Sequence, residues 1–269
     1  MIKYKAAAIQ MNSQPDIDHN LDQAYSLLKK ASENEVRLAG LPENFAFLGD
    51  LDLRINRAEQ IAEKAYPFLK SVAKEFNIFL LGGSYPVPAG SGKTYNRSVL
   101  LNPKGEEVAR YDKIHLFDVD LPDGESYRES DFVNAGKNDT VVFSSDVIGN
   151  LGMTICYDLR FPELYRKIMI EKADILCIPS AFTETTGRDH WQPLLRARAI
   201  ENTAYVFAPA QTGLHGEKRK TFGHSMIIDP WGDVLHDAGK SIGMAIAEIN
   251  TDRISNVRQQ IPSLIHRVI

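Results

Sequence analysis

The sequence predicts one α/β domain of mixed sheets spanning residues 1–269, and three observations predict it. Short apolar runs alternate with helix-period segments for most of the length. Two pairs of runs flank tight turn signals and read as hairpins, which makes the sheets mixed. No repeat, low-complexity tract or linker-like change of composition divides the chain. The composition agrees with a globular fold: 43% of residues are hydrophobic and 25% charged, which excludes disordered and fibrous classes.

The elements follow in order. Residues 4–12 (YKAAAIQMN) read as a strand, and 17–34 as a helix with Ile17, Leu21, Ala24, Leu28 and Ala31 on one face. A second strand, 36–42, ends at Pro42-Glu43. Residues 58–65 read as helical, and Pro67 is expected to open a separate helix over 67–76, because proline is cheap only in a first turn. IFLLGGSY (78–85) reads as a buried strand, and 95–101 with 106–112 as a hairpin about Asn102-Pro103-Lys104-Gly105. Residues 118–140 are polar and rich in Asp, Gly and Asn, and read as a long ordered loop of the kind that carries function.

The alternation then resumes. TVVFSS and VIGNLGMTIC read as strands, 161–172 as a helix with Pro162 in its first turn, ADILCIPSAF as a strand, 190–202 as a helix and AYVFAPAQ as a strand. FGHSMIID and VLHDA flank Pro230-Trp231-Gly232-Asp233 as a second hairpin, and SIGMAIAEI closes the sheet.

Charge and cysteine content exclude several functions. With 31 Lys+Arg against 35 Asp+Glu the net charge is −4, so neither nucleic acid nor an anionic membrane is expected as partner. No apolar run approaches the roughly 18–20 residues of a spanning helix, and MIKYKAAAIQMNSQPD reads as a first strand rather than a signal peptide, so a cytoplasmic protein is expected. The two cysteines, Cys156 and Cys177, do not make a disulfide scaffold; without CxxC or HExxH no metal is expected, and no nucleotide or flavin cofactor is implied. Gly90-Ser91-Gly92-Lys93-Thr94 imitates a phosphate loop, but Val87 stands where the pattern needs glycine and the segment joins two strands, so it reads as a loop tip.

Cys156 follows a strand and precedes a helix, the place where α/β folds present groups to a ligand crevice. Glu43, at the end of strand 36–42, and Lys113 with His115, at the end of ARYDKIHLF, occupy equivalent places. A carboxylate, an ammonium and a thiol on one rim make a workable hydrolytic set. Position alone does not separate this set from two ordinary exposed charges and a small buried thiol, which is the commoner fate of each residue type. Cys177, inside the apolar DILCIPS, takes that second reading.

LPENF, RYDKIHLFD and GMTICYDLRFPELYR together resemble the three signature blocks of the nitrilase superfamily of carbon–nitrogen hydrolases, in the family's order. The likeness extends to PSAFTETTGRDHWQPLLRARAIEN and GHSMIIDPWGDVL, so it covers nearly the whole chain. It implies a four-layer αββα sandwich with Glu43 as general base, Lys113 as oxyanion stabiliser, Cys156 as nucleophile and Glu129, in YRESDF, orienting Lys113 and the substrate. The backbone N–H of Tyr157 would be a second oxyanion donor. The family's Pro-Gly pair is replaced here by Asn134-Ala135-Gly136, which leaves the shape of that loop open.

CYDLRFPE resembles the amidase branch that accompanies Nit proteins; true nitrilases have Trp-Glu where Tyr157-Asp158 stands. The implied reaction is cleavage of a small carboxylate-bearing primary amide to acid and ammonia through a cysteine thioester. Arg160 is a candidate for the substrate carboxylate, with an internal ion pair to Asp158 or Glu163 as the equal alternative. Phe182 and Thr186 are candidates for the pocket wall. A papain-like pairing of Cys156 with His190 is the rival nucleophile system, and a non-catalytic binding protein on the same fold is the rival of another class. The likeness implies a homodimer through the helices around Cys156 and 190–202, with the apolar tail IPSLIHRVI packing across it.

Overall fold

The computed structural model describes residues 2–90, 92–122 and 124–268. Ser91, within the phosphate-loop imitation, Asp123, within the 118–140 segment, and Met1 and Ile269 lie outside the described residues. The first half runs β1 (Lys3–Met11), α1 (Ile17–Glu33), β2 (Val36–Gly40), α2 (Leu51–Asn56), α3 (Ala58–Glu75), β3 (Phe79–Leu81), β4 (Tyr85–Pro88), β5 (Thr94–Leu101) and β6 (Glu107–Asp112). The middle holds β7 (Asp118–Asp120), β8 (Ser126–Arg128), β9 (Val142–Phe143), β10 (Leu151–Met153), α4 (Pro162–Ile170), β11 (Ile175–Cys177) and α5 (Glu184–Asn202). The last part holds β12 (Tyr205–Ala208), β13 (Ala210–His215), β14 (Arg219–Phe222), β15 (Met226–Ile228), β16 (Val234–Asp237), β17 (Gly243–Asn250) and α6 (Thr251–Gln260).

Two mixed sheets result. In the first, β1 pairs in parallel with β2 and antiparallel with β17, and β2 continues through β3 to the antiparallel β5, flanked by β4 and β6. The second runs β16-β15-β12-β11-β10-β9. Side-chain alternation shows why the two sheets stack: in β1, Ala6 and Ala8 face the core shared with the second sheet, while Ala7, Ile9 and Met11 face α1 and α3. Leu38 and Ala39 of β2 divide in the same way. On the far side, an added Cβ at Gly152 of β10 would meet Ile168 of α4, so the second sheet is covered by α4 and α5. The architecture is the expected αββα sandwich. Strands buried on both faces read as continuous apolar runs, which is how they stood out in the sequence.

Several boundaries differ from expectation for physical reasons. Pro67 does not open a helix; it lies inside the continuous α3. The unbroken buried face of Ile61, Ala65, Leu69 and Val72 outweighs the missing N–H, although an interior proline costs about 3 kcal/mol. IFLLGGSY is two strands, broken at Gly82-Gly83; at Gly83 (φ 57°) a Cβ would fall 2.1 Å from the Pro42 carbonyl oxygen. The 118–140 loop contains the β7–β8 hairpin. AYVFAPAQ crosses between the sheets at Pro209, with β12 in the second and β13 in the first. Helix α5 begins at Glu184, not 190, because Thr183 caps it by accepting from the Thr186 N–H. Helices α2 and α6 have no counterpart in the sequence reading. Among the described residues no helix is long and apolar enough to cross a membrane.

The sheets approach closely at Gly40, just ahead of Glu43. A Cβ there would lie 2.4 Å from Phe207 Cε1 and 2.9 Å from Pro209 Cγ. Gly40→Ala is expected to lower unfolding free energy by about 1–3 kcal/mol through overpacking, seen as a lower urea midpoint at unchanged m-value.

Candidate active site

Three strand ends deliver the polar groups. Past β2 the chain turns at Leu41-Pro42 to Glu43; Lys113 directly follows β6; Thr154-Ile155-Cys156 follows β10. The first two belong to one sheet and the third to the other, so they meet in the crevice beyond the strands' carboxyl ends. Lys113 Nζ donates to Glu43 Oε1 at 3.0 Å and to Glu129 Oε2 at 2.8 Å. Glu43 Oε1 also accepts from Asn96 Nδ2 (2.9 Å), and its Oε2 accepts from the Ala181 N–H (2.8 Å). The Cys156 thiol hydrogen-bonds Glu43. Glu129 Oε2 takes a further bond from the Phe117 N–H at 2.7 Å. Glu43 and Lys113 are each only 2% exposed.

Each group is held by its own loop. The Glu43 turn is fixed by Ser84, whose Oγ accepts from the Asn44 N–H at 3.0 Å, and by Gln211, whose Nε2 donates to the Glu43 carbonyl at 3.1 Å. Cys156 has φ 48°, the left-handed region that costs a non-glycine residue about 1–2 kcal/mol. It opens a short 3-10 helix, Cys156–Arg160, and its N–H donates to the Pro179 carbonyl at 3.0 Å. Asp158, fully buried, accepts from the Ile155 N–H (2.9 Å), the Tyr111 hydroxyl (2.8 Å), the His115 N–H (3.0 Å) and the His115 ring Nδ1 (2.7 Å). One carboxylate therefore ties the cysteine turn to both sides of Lys113. His115 also stacks on Phe161 at 3.7 Å. The unusual Asn134-Ala135-Gly136 segment packs against the same strand end. The Gly136 N–H donates to the Lys113 carbonyl at 2.8 Å, and a Cβ on Gly136 would lie 2.2 Å from the Asp112 carbonyl oxygen.

The electrostatics define the resting state. Burial alone would raise the pKa of Glu43, but the Lys113 ammonium and hydrogen bonds from Cys156 and Lys113 hold it at about 2. Burial opposes the charge on Lys113, and Glu129 and Glu43 reverse this and drive its pKa up. Burial pushes the Cys156 thiol up, and the Glu43 charge pushes it further. The site at rest is an ionised carboxylate, an ammonium and a neutral thiol.

These groups line a cavity of about 320 Å³, within the range of small-molecule sites. Tyr157, Phe182 and Thr186 all line it. Tyr157 stands in the first turn of the 3-10 helix, where backbone N–H groups lack intrahelical partners. Arg160 does not line the cavity. Its guanidinium lies over the Phe182 and Tyr157 rings, 5.2 and 5.9 Å from their centroids, and 3.3 Å from His190 Nδ1. It ion-pairs with neither Asp158 nor Glu163, because Asp158 is saturated by the strand it braces. His190 is exposed on α5 beside Arg160 and does not line the cavity. Sequence reasoning missed Asn96, the Ala181 N–H, Asp158 as a brace, and two cavity-lining arginines, Arg54 and Arg219. No local spacing in the sequence marks these residues, because each meets its partner from a segment distant in sequence. Among the described residues no group of three or more His, Cys, Asp or Glu could hold a metal ion.

Comparison with known proteins bears on this geometry. Residues 5–259 match the carbon–nitrogen hydrolase family. A deaminated glutathione amidase of Synechocystis sp. (strain PCC 6803 / GT-S) is 54% identical over 270 residues, covering 100% of this chain and 99% of that protein. The NitFhit protein of C. elegans superposes with a TM-score of 0.92 at 35% identity, over 100% of this chain and 66% of that longer one. Nit3 of Saccharomyces cerevisiae, a member of branch 10 of the nitrilase superfamily, superposes with a TM-score of 0.87 at 30% identity, over 97% of this chain and 95% of the other.

The depressed Glu43 has a stability consequence. A carboxyl with its folded pKa below the unfolded value stabilises the fold at higher pH and loses that contribution on acidification. Moving Glu43 from 4.5 to about 2 is worth on the order of 3 kcal/mol above about pH 4.5, lost as pH falls toward 2. Thermal unfolding followed between pH 7 and 2 should show this acid limb in the wild type. In Glu43→Gln the limb should be shallower, from a lower starting melting temperature.

Proposed function

Because the chain belongs to the carbon–nitrogen hydrolase family and is an amidase of the nitrilase superfamily, we propose that Cys156, Glu43 and Lys113 cleave its amide through a thioester, with Glu129 positioning Lys113. The contact of Lys113 with Glu43 and Glu129, with the thiol bonded to the same Glu43, carries this reading. In the resting site the thiol is neutral, so attack on the amide carbon and proton transfer to Glu43 proceed together. An ammonium has three donors; Lys113 commits two to carboxylates and keeps the third for the oxyanion, beside the Tyr157 N–H. As negative charge grows on the substrate oxygen, the hold of Lys113 on Glu43 weakens and the carboxylate becomes a better base. The protonated Glu43 then gives its proton to the departing amine. It next takes one from water, whose oxygen attacks the thioester carbon, and returns that proton to the departing sulfur, which frees the acid and restores the thiol and the carboxylate.

The substrate we propose is deaminated glutathione, on the strength of the relatives that carry that name. For a primary amide the leaving group is ammonia; in deaminated glutathione it is the amino group of the cysteinylglycine half. The smaller alternative is α-ketoglutaramate, an omega-amide, and comparing kcat/KM for the two decides between them. A thiol nucleophile that must stay reduced suits a cytoplasmic setting. Exposed Ile170 on α4, Ile200 on α5, and Ile261 and Ile265 near the C-terminus support a homodimer through that face.

Cys156→Ala is expected to abolish amide turnover, and Lys113→Met to lower kcat by about 10²–10³. His190→Ala should stay within a few-fold of wild type. Mass spectrometry of acid-quenched enzyme should find the acyl group on Cys156; an acyl adduct elsewhere, or activity surviving Cys156→Ala, would overturn the mechanism.

A further inference from the structure

Four cations line the cavity, Lys113, Arg54, Arg128 and Arg219, against two carboxylates, Glu43 and Glu129. Lys113 is committed to both carboxylates, and Arg128 is paired outside the cavity with Asp120 at 2.8 Å. Arg54 and Arg219 remain. Arg54 projects from α2, is 4% exposed, and its Nε has no hydrogen-bond partner. The Nε of Arg219, on β14, is buried and equally unpartnered; its guanidinium lies over the Tyr127 ring at 5.6 Å, and one terminal nitrogen donates to the Ala181 carbonyl at 3.3 Å. Among the described residues neither guanidinium makes an ion pair with a carboxylate. Burial opposes the charge on Arg54, and nearby Arg219 opposes it to a smaller degree, while Glu129 and Glu43 support it.

Two guanidiniums lining one cavity, each with a buried Nε that no group of the protein accepts from, offer idle donors to an anion that enters between them. We propose that Arg54 and Arg219 together bind a carboxylate of the substrate, making the enzyme selective for anionic amides over neutral ones of the same length. The proposal rests on the amidase reading for the site itself, and it assigns the role first expected of Arg160 to residues from α2 and β14. Charge-assisted hydrogen bonds of this kind are worth about 10–100-fold in affinity.

The test uses binding and turnover separately. By calorimetry, wild type should bind glutarate at least ten-fold more tightly than butyrate, which lacks the second carboxylate. Arg219→Gln and Arg54→Lys, the latter keeping the charge but not the fork, should each erase most of that preference. In kinetics, both variants should lose more kcat/KM on glutaramate than on butyramide, by ten-fold or more and chiefly through KM. Equal binding of glutarate and butyrate by wild type, or equal losses on both ligands in the variants, would overturn the proposal and leave the arginines as counter-charges to Glu43 and Glu129. If glutarate selectivity is present but no amide is turned over, the amidase reading fails while the carboxylate site stands.

Discussion

A lysine ammonium buried between two carboxylates is the constraint on which the site depends. Lys113 cannot be taken from water alone, because an isolated ammonium in a protein interior costs several kcal/mol. Glu43 and Glu129 make its burial possible, and it makes theirs possible. The three come from separate stretches of the first sheet and the loop after it, so no one of them can be packed until the others are in place. Asn96, the Ala181 N–H and the Cys156 thiol also bond Glu43, and the Phe117 N–H bonds Glu129. The cluster is thus nearly satisfied, as a buried polar network must be to favour one arrangement over others.

The cysteine is brought to this cluster by the second sheet, and the join between the sheets is also polar. Asp158 spans it, accepting from the backbone just before Cys156 and from Tyr111 and His115 on either side of Lys113. Its four bonds offset the left-handed backbone of Cys156 and hold the thiol at the crevice. Gly83 and Gly136 act in the same sense from the other side: each is a place where a β-carbon would collide with backbone next to Glu43 or Lys113. Stability and catalytic geometry here draw on the same contacts.

That economy sets the chemistry. A carboxylate held near pKa 2 is a poor base and a neutral buried thiol a poor nucleophile, so the site is quiet until an amide arrives. In the proposed mechanism the substrate supplies what activates it: a carbonyl oxygen that draws the ammonium's field away from Glu43. The same field reaches the rest of the cavity, where Glu129 and Glu43 support the charge on Arg54 without forming an ion pair with it.

Most of the strand–helix alternation and both hairpins were legible in the sequence, because each rests on a local pattern of apolar period or turn residues, and Glu43, Lys113, Glu129 and Cys156, singled out from short blocks, are the groups the structure brings together. What was local but misread shows the limit of propensity. Pro67 was expected to open a second helix, and the buried face of α3 overrode it; the start of α5 was placed at 190, six residues after the turn that Thr183 caps. Other features had no local signal. Asp158 and Arg160 are two positions apart in one motif, yet one is buried between the sheets and the other lies against His190 outside the cavity. Arg54 and Arg219 are ordinary arginines until α2 and β14 carry them to the same wall. By itself the sequence determined the kinds of element and the set of reactive groups, since backbone period and side-chain chemistry are properties of neighbouring residues. Only the tertiary structure decided which charges pair and which stay open to a ligand, since that depends on distances between segments that meet through the packing of two sheets.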